Sequence, residues 1–218
     1  MNNITFFVLT LLGSHESSRR FRRLNNTIFH LACRDSFPLK KVQVRFGDRL
    51  GSVLQIMDQA QNYQAVHGGM VGILEDDAEL HPDFCTELAK TLADLPPLWE
   101  VLHLCPGFAW GRQFRDHESR PVEFRPERRF RARGLTARVW DGPPDREAWL
   151  GGPEAYIVKS QSFWQPVMDH MRRGMGTTDI DLTLSAFKKP GLHFVARNPP
   201  LCKEADLGFS VRQNRRVP

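Results

Sequence analysis

Apolar residues along this chain fall into two patterns: short unbroken runs, and longer stretches in which every third or fourth position is apolar. The first run, residues 4–12 (ITFFVLTLL), is rich in β-branched and aromatic side chains and does not alternate, which predicts a central strand covered on both faces. Gly13-Ser14 ends it, Ser14 can cap a helix, and HESSRRFRRL predicts a polar helix. Short strands are expected over residues 27–32 and 42–46. After a turn at 47–51, Val53, Leu54, Met57, Ala60 and Gln64 share one helical face that stops before Gly68-Gly69. A strand at 71–74 follows. Pro82 suits the first turn of the next helix, whose stripe is Phe84, Leu88, Leu92 and Leu95, and residues 99–104 read as another strand. Beyond a region without periodicity, a strand at 154–159, a helix carrying Phe163, Trp164, Val167, Met168 and Met171, and a strand at 192–196 complete the pattern.

Strand and helix patterns alternate through the first half, which predicts an α/β fold: a mainly parallel, Rossmann-like sheet with helices on both faces. Residues 1–218 are expected to form a single domain, and residues 106–152, dominated by Gly, Pro and Arg, a long loop excursion from it. In such sheets ligands bind beyond the carboxyl ends of the strands.

Composition changes this picture little. Hydrophobic residues at 41% and charged residues at 25% are those of a folded protein, which excludes a disordered chain. The net charge of +5 favours anionic partners. It is concentrated: residues 111–138 hold nine arginines against four acids, an excess of five that equals the whole. Interleaved Phe108, Trp110, Phe114, Phe124 and Phe130 offer stacking surfaces for bases or sugars, so a basic nucleic-acid-binding α/β protein is the competing class, though no recognised nucleic-acid module surrounds them. Cys33, Cys85, Cys105 and Cys202 lack metal-site spacing and are expected to be reduced thiols, which suits a cytoplasmic protein. The opening apolar run is nine residues against the about 20 of a membrane span, and no basic segment precedes it, so neither a signal peptide nor a transmembrane segment is expected.

The candidate chemistry lies in VGILEDDAELHPDF, where an apolar strand runs into Glu75, Asp76 and Asp77. Like charges side by side repel unless water, a cation or positive dipoles offset them. One reading is that the acids complement the N-terminal dipole of a following helix. The other is that carboxylates at a strand end hold a hard divalent cation, which in turn holds a nucleotide diphosphate. Arg19 and Arg20 follow the first strand, where a nucleotide is expected, and either meet a diphosphate or ribose or are solvated helix charges. Thr10, near the end of that strand, falls in the same region.

GILEDDAELHPDF, together with ITFFVLTLLGSHESSRR, GGPEAYIVKSQSFWQPVMD and TTDIDLTL, resembles glycosyltransferase family 25, the lipooligosaccharide and collagen galactosyltransferase group, in order and spacing. The resemblance implies a GT-A-like fold and transfer of a hexose, galactose or glucose, from a UDP-sugar. The acceptor would be a glycan, lipooligosaccharide or glycoprotein hydroxyl. It places Glu75, Asp76 and Asp77 as the acidic donor site for Mn2+ or Mg2+ and the sugar-nucleotide diphosphate, with Asp77 and Glu75 as metal ligands. It matches residues 155–158 to a strand near the sugar pocket, and Ile180-Asp181 to a valine-aspartate step. An inverting transfer needs a group to deprotonate the acceptor, and Asp181 and Asp179 are the candidate bases. Asp179 equally suits a helix N-cap.

Overall fold

The computed structural model describes residues 3–11, 15, 18–22, 38–44, 49–76, 78–104, 114–115, 121–122, 139–140, 155–173, 192–196, 201–204, 209–210 and 215–216. The chain begins with strand β1 (Ile4–Leu11), followed by helical residues 18–22, strand β2 (Leu39–Val44), helix α1 (Arg49–His67) and strand β3 (Met70–Glu75). Next come strand β4 (Ala78–Leu80), helix α2 (Phe84–Asp94), strand β5 (Val101–His103) and the two-residue strands β6 (Phe114–Arg115), β7 (Pro121–Val122) and β8 (Val139–Trp140). Strand β9 (Ala155–Val158) leads through a 3-10 turn (Gln161–Phe163) into helix α3 (Trp164–Arg172). Strands β10 (His193–Ala196), β11 (Cys202–Glu204), β12 (Phe209–Ser210) and β13 (Arg215–Arg216) follow.

The main sheet has seven strands in the order β2-β1-β3-β9-β5-β10-β8. β1 pairs in parallel with β2 and β3, and β10 with β5, whereas β9 and β8 run antiparallel to their neighbours. Five of the seven strands therefore share one direction. The expected mainly parallel α/β sheet is present, and one antiparallel strand, β9, divides it at its centre. Continuous apolar runs do not reveal strand direction, because a strand buried on both faces reads the same either way.

Both faces are covered. On one, Phe6, Val8, Leu74, Ile157, Leu102 and Phe194 pack against Phe84 and Leu88 of α2 and against Leu80 and Leu201. On the other, Phe7, Val71, Ile73, Tyr156 and Val158 pack against Val53, Ile56, Met57 and Ala60 of α1 and Trp164, Val167, Met168 and Met171 of α3. The helical faces read from the sequence are the buried ones, each fully buried Leu, Phe or Met contributing about 1.5–3 kcal/mol. Gly68 and Gly69 both have positive φ, 67° and 77°, and turn the chain from α1 into β3; a Cβ on Gly69 would sit 2.9 Å from the Asn3 carbonyl oxygen. Gly72 leaves room for the Phe6 ring, which lies across it from the paired position on β1.

Several expectations shift. The strand expected at 42–46 begins at Leu39, and the one expected at 99–104 covers Val101–His103. The helix after the acidic run does not follow directly: β4 intervenes and pairs antiparallel with β11, and neither strand was foreseen. Both are three residues long, too short for a period-2 pattern to register. The strand expected at 27–32 and most of residues 106–152 lie outside the described residues, although Val139–Trp140 forms the sheet's edge beside β10. The expectation of reduced thiols holds for Cys202, a buried cysteine outside any disulfide, and fails at Cys85, which is disulfide-bonded. Separation along the sequence does not limit approach in space. Disulfides persist mainly in oxidising compartments, so this bond removes the basis for expecting a reducing one. Among the described residues, no helix is long and apolar enough to cross a membrane.

Candidate functional site

Parallel strands that share a direction deliver their carboxyl ends to one edge, and here that edge collects charge. β1 and β3 run side by side with Leu9 opposite Glu75, so the segments leaving both strands emerge together. Glu75, the last residue of β3, is partly buried, and Asp76 begins the turn toward β4. From the β1 side, the helical residues 18–22 bring Arg20 to the same place. Its Nη1 lies 4.0 Å from Asp76 Oδ1, with the two side chains 4% and 12% exposed. Taking a guanidinium out of water costs several kcal/mol unless a charge partner offsets it. Asp76 is such a partner. Phe21 anchors the segment on the α2 side of the core, and Lys41 of β2 lies 5.5 Å over its ring.

The dipole reading of the acidic residues does not survive this geometry. α2 starts at Phe84, beyond β4, and the acid in its first turn is Glu87, which accepts a hydrogen bond from Lys90. Dipole effects fade within the first turn. Glu75 and Asp76 therefore sit at a strand end and not at a helix end.

The remaining sequence-predicted residues separate. Arg19 is exposed, whereas Arg20 is buried, which distinguishes two arginines that the sequence left equivalent. Thr10 is buried, and its hydroxyl donates to the Val42 carbonyl at 3.2 Å, linking β1 to β2. Asp77, Asp179 and Asp181 lie outside the described residues. Among the described residues, no group of three or more His, Cys, Asp or Glu side chains is placed to hold a metal ion. The chemistry of Glu75 and Asp76 suits a hard cation, since both supply carboxylate oxygens, and Asp77 follows directly in the chain.

Further along the same edge, β9 enters the sheet beside β3 with Ala155 opposite Leu74, so its first residues lie next to the acidic end. Tyr156 is fully buried; no hydrogen-bond partner meets its hydroxyl among the described residues, and burial holds its pKa well above the ordinary tyrosine value. Its ring faces His103 at 6.2 Å and Phe163 at 6.4 Å, so His103, itself buried, is a core residue. What the sequence did not reveal is the Arg20–Asp76 pairing. A usable signal existed: both residues follow strands that prove to be parallel neighbours, and an arginine and an aspartate in those positions meet across the sheet edge.

No protein-family model and no curated protein sequence matches the chain. Among solved structures, the chain is similar to the crystal structure of a glycosyltransferase involved in the glycosylation of the major capsid of PBCV-1. The TM-score is 0.50 with 12% identity, over 88% of this chain and 81% of that one. At such identity the likeness is one of fold, and the chain carries a mixed α/β sheet of the kind that glycosyltransferase has, flanked by helices on both faces.

Proposed function

We propose that this protein is a glycosyltransferase that moves a hexose, galactose or glucose, from a UDP-sugar to a hydroxyl of a glycan, lipooligosaccharide or glycoprotein. The observation that carries the reading is the carboxyl edge of β3, where Asp76, next to Glu75 in the chain, meets Arg20 in a sheet similar to a glycosyltransferase's. The likeness of residues 72–84 to family 25 supports the finer assignment. In this reading Glu75 and Asp77 hold Mn2+ or Mg2+ and Arg19 lies on the nucleotide side, while Asp76, Arg20 and Thr10, all buried, support the site from behind. The bound cation supplies positive charge against the diphosphate leaving group.

The chain's own residues do the rest. Exposed Arg19, on the helical segment that follows β1, is assigned to the diphosphate or ribose. Asp181 accepts the proton of the attacking acceptor hydroxyl, and Asp179 is the alternative base or a helix cap. A carboxylate needs reach for this, not an extreme pKa. The test is turnover: purified protein with UDP-galactose or UDP-glucose, Mn2+ and candidate acceptors, followed by UDP release. Asp181→Asn is expected to keep UDP-sugar affinity and to lower transfer by about 100- to 10,000-fold. A fully active Asp181→Asn enzyme would exclude Asp181 as the base. Binding of single-stranded nucleic acid with no UDP-sugar binding would overturn the transferase reading.

A further inference from the structure

We propose that residues 201–204 are a positioning strap for the acidic strand end. Leu201 and Cys202 hold β4 against the ends of β5 and β9, and β4 in turn holds the far side of the segment that leaves β3 at Glu75, so closure of the strap and binding at the acidic end are coupled. The proposal rests on the donor-site reading above. Its links are backbone hydrogen bonds. The Leu104 carbonyl, just past β5, accepts from the N–H groups of Leu201 at 3.1 Å and Cys202 at 3.0 Å, and the Leu104 N–H donates to the Ala155 carbonyl at 2.9 Å. The Leu201 carbonyl accepts from the His81 N–H at 2.9 Å, and β11 continues along β4 with Cys202 opposite Leu80 and Glu204 opposite Ala78. Ala155 lies opposite Leu74 of β3. The circuit thus runs from β3 to β9, β5, β11 and β4, and the covalent segment that closes it is the acidic one between β3 and β4.

Side chains hold the strap down. Leu201 and Cys202 are buried with Leu80 and Leu104 in the core on the α2 side. Strands as short as β4 and β11 have little stability as an isolated pair, so lifting Leu201 from the core frees both, and they open as one unit. A ligand that binds only the closed form slows this opening by the factor 1 + [L]/Kd. The register also offers a lock. The His81–Leu201 bond makes that pair a hydrogen-bonded one, so the next pair, Leu80–Cys202, is non-hydrogen-bonded, the kind whose Cα atoms lie about 4.5 Å apart and within disulfide reach.

Amide exchange of the full chain, read by mass spectrometry, tests the coupling. The proteins are wild type, Leu201→Ala, Leu201→Met, Leu80→Cys and the Leu80→Cys/Cys202→Ser control. Each is followed alone and with Mn2+ and UDP-galactose or UDP-glucose at about 100 times the Kd found by calorimetry. In wild type, the bound UDP-sugar is expected to slow exchange at residues 201–204 by up to about 100-fold, an effect that a merely structural strap would not show. Leu201→Ala is expected to speed exchange at 78–81 and 201–204 together, by about tenfold more than in β1, and to weaken UDP-sugar binding. Leu201→Met, which keeps the volume, retains most of both. Oxidised Leu80→Cys, with the bond between positions 80 and 202 established by peptide mapping, is expected to exchange slowest in both segments and to bind at least as tightly as wild type. Wild type with and without reductant controls for the Cys85 bond. If Leu201→Ala does not fold, the wild-type ligand effect and the lock decide. A UDP-sugar that binds but leaves exchange at 201–204 unchanged, or a folded, locked protein that no longer binds it, overturns the strap while the donor reading stands. Absence of UDP-sugar binding by the wild type overturns the donor reading and the positioning role together.

Discussion

Gln64 is 1% exposed and every polar atom of its side chain is engaged, so its replacement should be felt across the molecule. Its Nε2 donates to the carbonyls of Gly69 at 2.9 Å and Lys159 at 3.0 Å, with the Val158 carbonyl at 3.4 Å. Its Oε1 accepts from Trp164 Nε1 at 2.7 Å. One amide thus joins α1, the turn into β3, the end of β9 and the start of α3. Gln64→Leu keeps the volume and removes every one of these bonds. The largest cost is the Trp164 N–H, left buried without a partner at about 1–3 kcal/mol. The carbonyls lose less, because each retains a second lone pair for other donors. A total near 2–4 kcal/mol follows, or a fall in Tm of about 4–16 °C for a chain of this size. Urea unfolding and thermal melts of wild type, Gln64→Leu, Trp164→Phe and the double variant measure both the loss and the coupling. Because Trp164→Phe removes the orphaned donor, the double variant should be more stable than the sum of the single losses implies. A loss below about 1 kcal/mol for Gln64→Leu, or strict additivity, would refute the reasoning.

Three further outcomes are expected. Gly72→Ala should destabilise by about 1–3 kcal/mol, since the new Cβ would run into the Phe6 ring, and Phe6→Leu in the same chain should restore part of the loss in a denaturant titration. Tyr156→Phe should leave stability at neutral pH unchanged or raise it, because no partner meets the buried hydroxyl among the described residues. The raised pKa favours the neutral phenol in the folded state, so its stabilising share is complete below the unfolded tyrosine range near pH 10 and is lost as pH rises beyond it. Wild type should therefore lose stability faster than Tyr156→Phe between about pH 10 and 11.5, and equal slopes in melts across that range would contradict the burial argument. Thiol titration of the denatured, unreduced chain should find fewer than four reactive thiols, since Cys85 is disulfide-bonded; four would mean that no disulfide forms.

Much of the fold was legible because burial writes itself into spacing. The stripe Val53, Met57, Ala60 and Gln64 became the inner face of α1, and the run Trp164, Val167, Met168 and Met171 the inner face of α3. Even Gln64, a polar residue on an apolar face, stood at the right position, although its role as a four-way tie depends on carbonyls about 95 residues away that no local pattern encodes. The direction of β9 and the β4–β11 pair were not legible, for sheet pairing is a long-range choice and three-residue strands carry too few positions to show a period. At the candidate site the sequence located the strand end and its carboxylates. It treated Arg19 and Arg20 alike, because which of two adjacent helical residues faces inward depends on how the segment docks, through Phe21, on the core and on the end of β3.

The measurement that bears most directly on the account is calorimetric titration of UDP-galactose and UDP-glucose into the wild-type chain and into Asp77→Ala, each with and without Mn2+. The account predicts binding of at least one UDP-sugar that requires Mn2+ in the wild type and is lost in Asp77→Ala while the melting temperature of the metal-free protein stays the same. UDP-sugar affinity that is indifferent both to Mn2+ and to Asp77→Ala would contradict it.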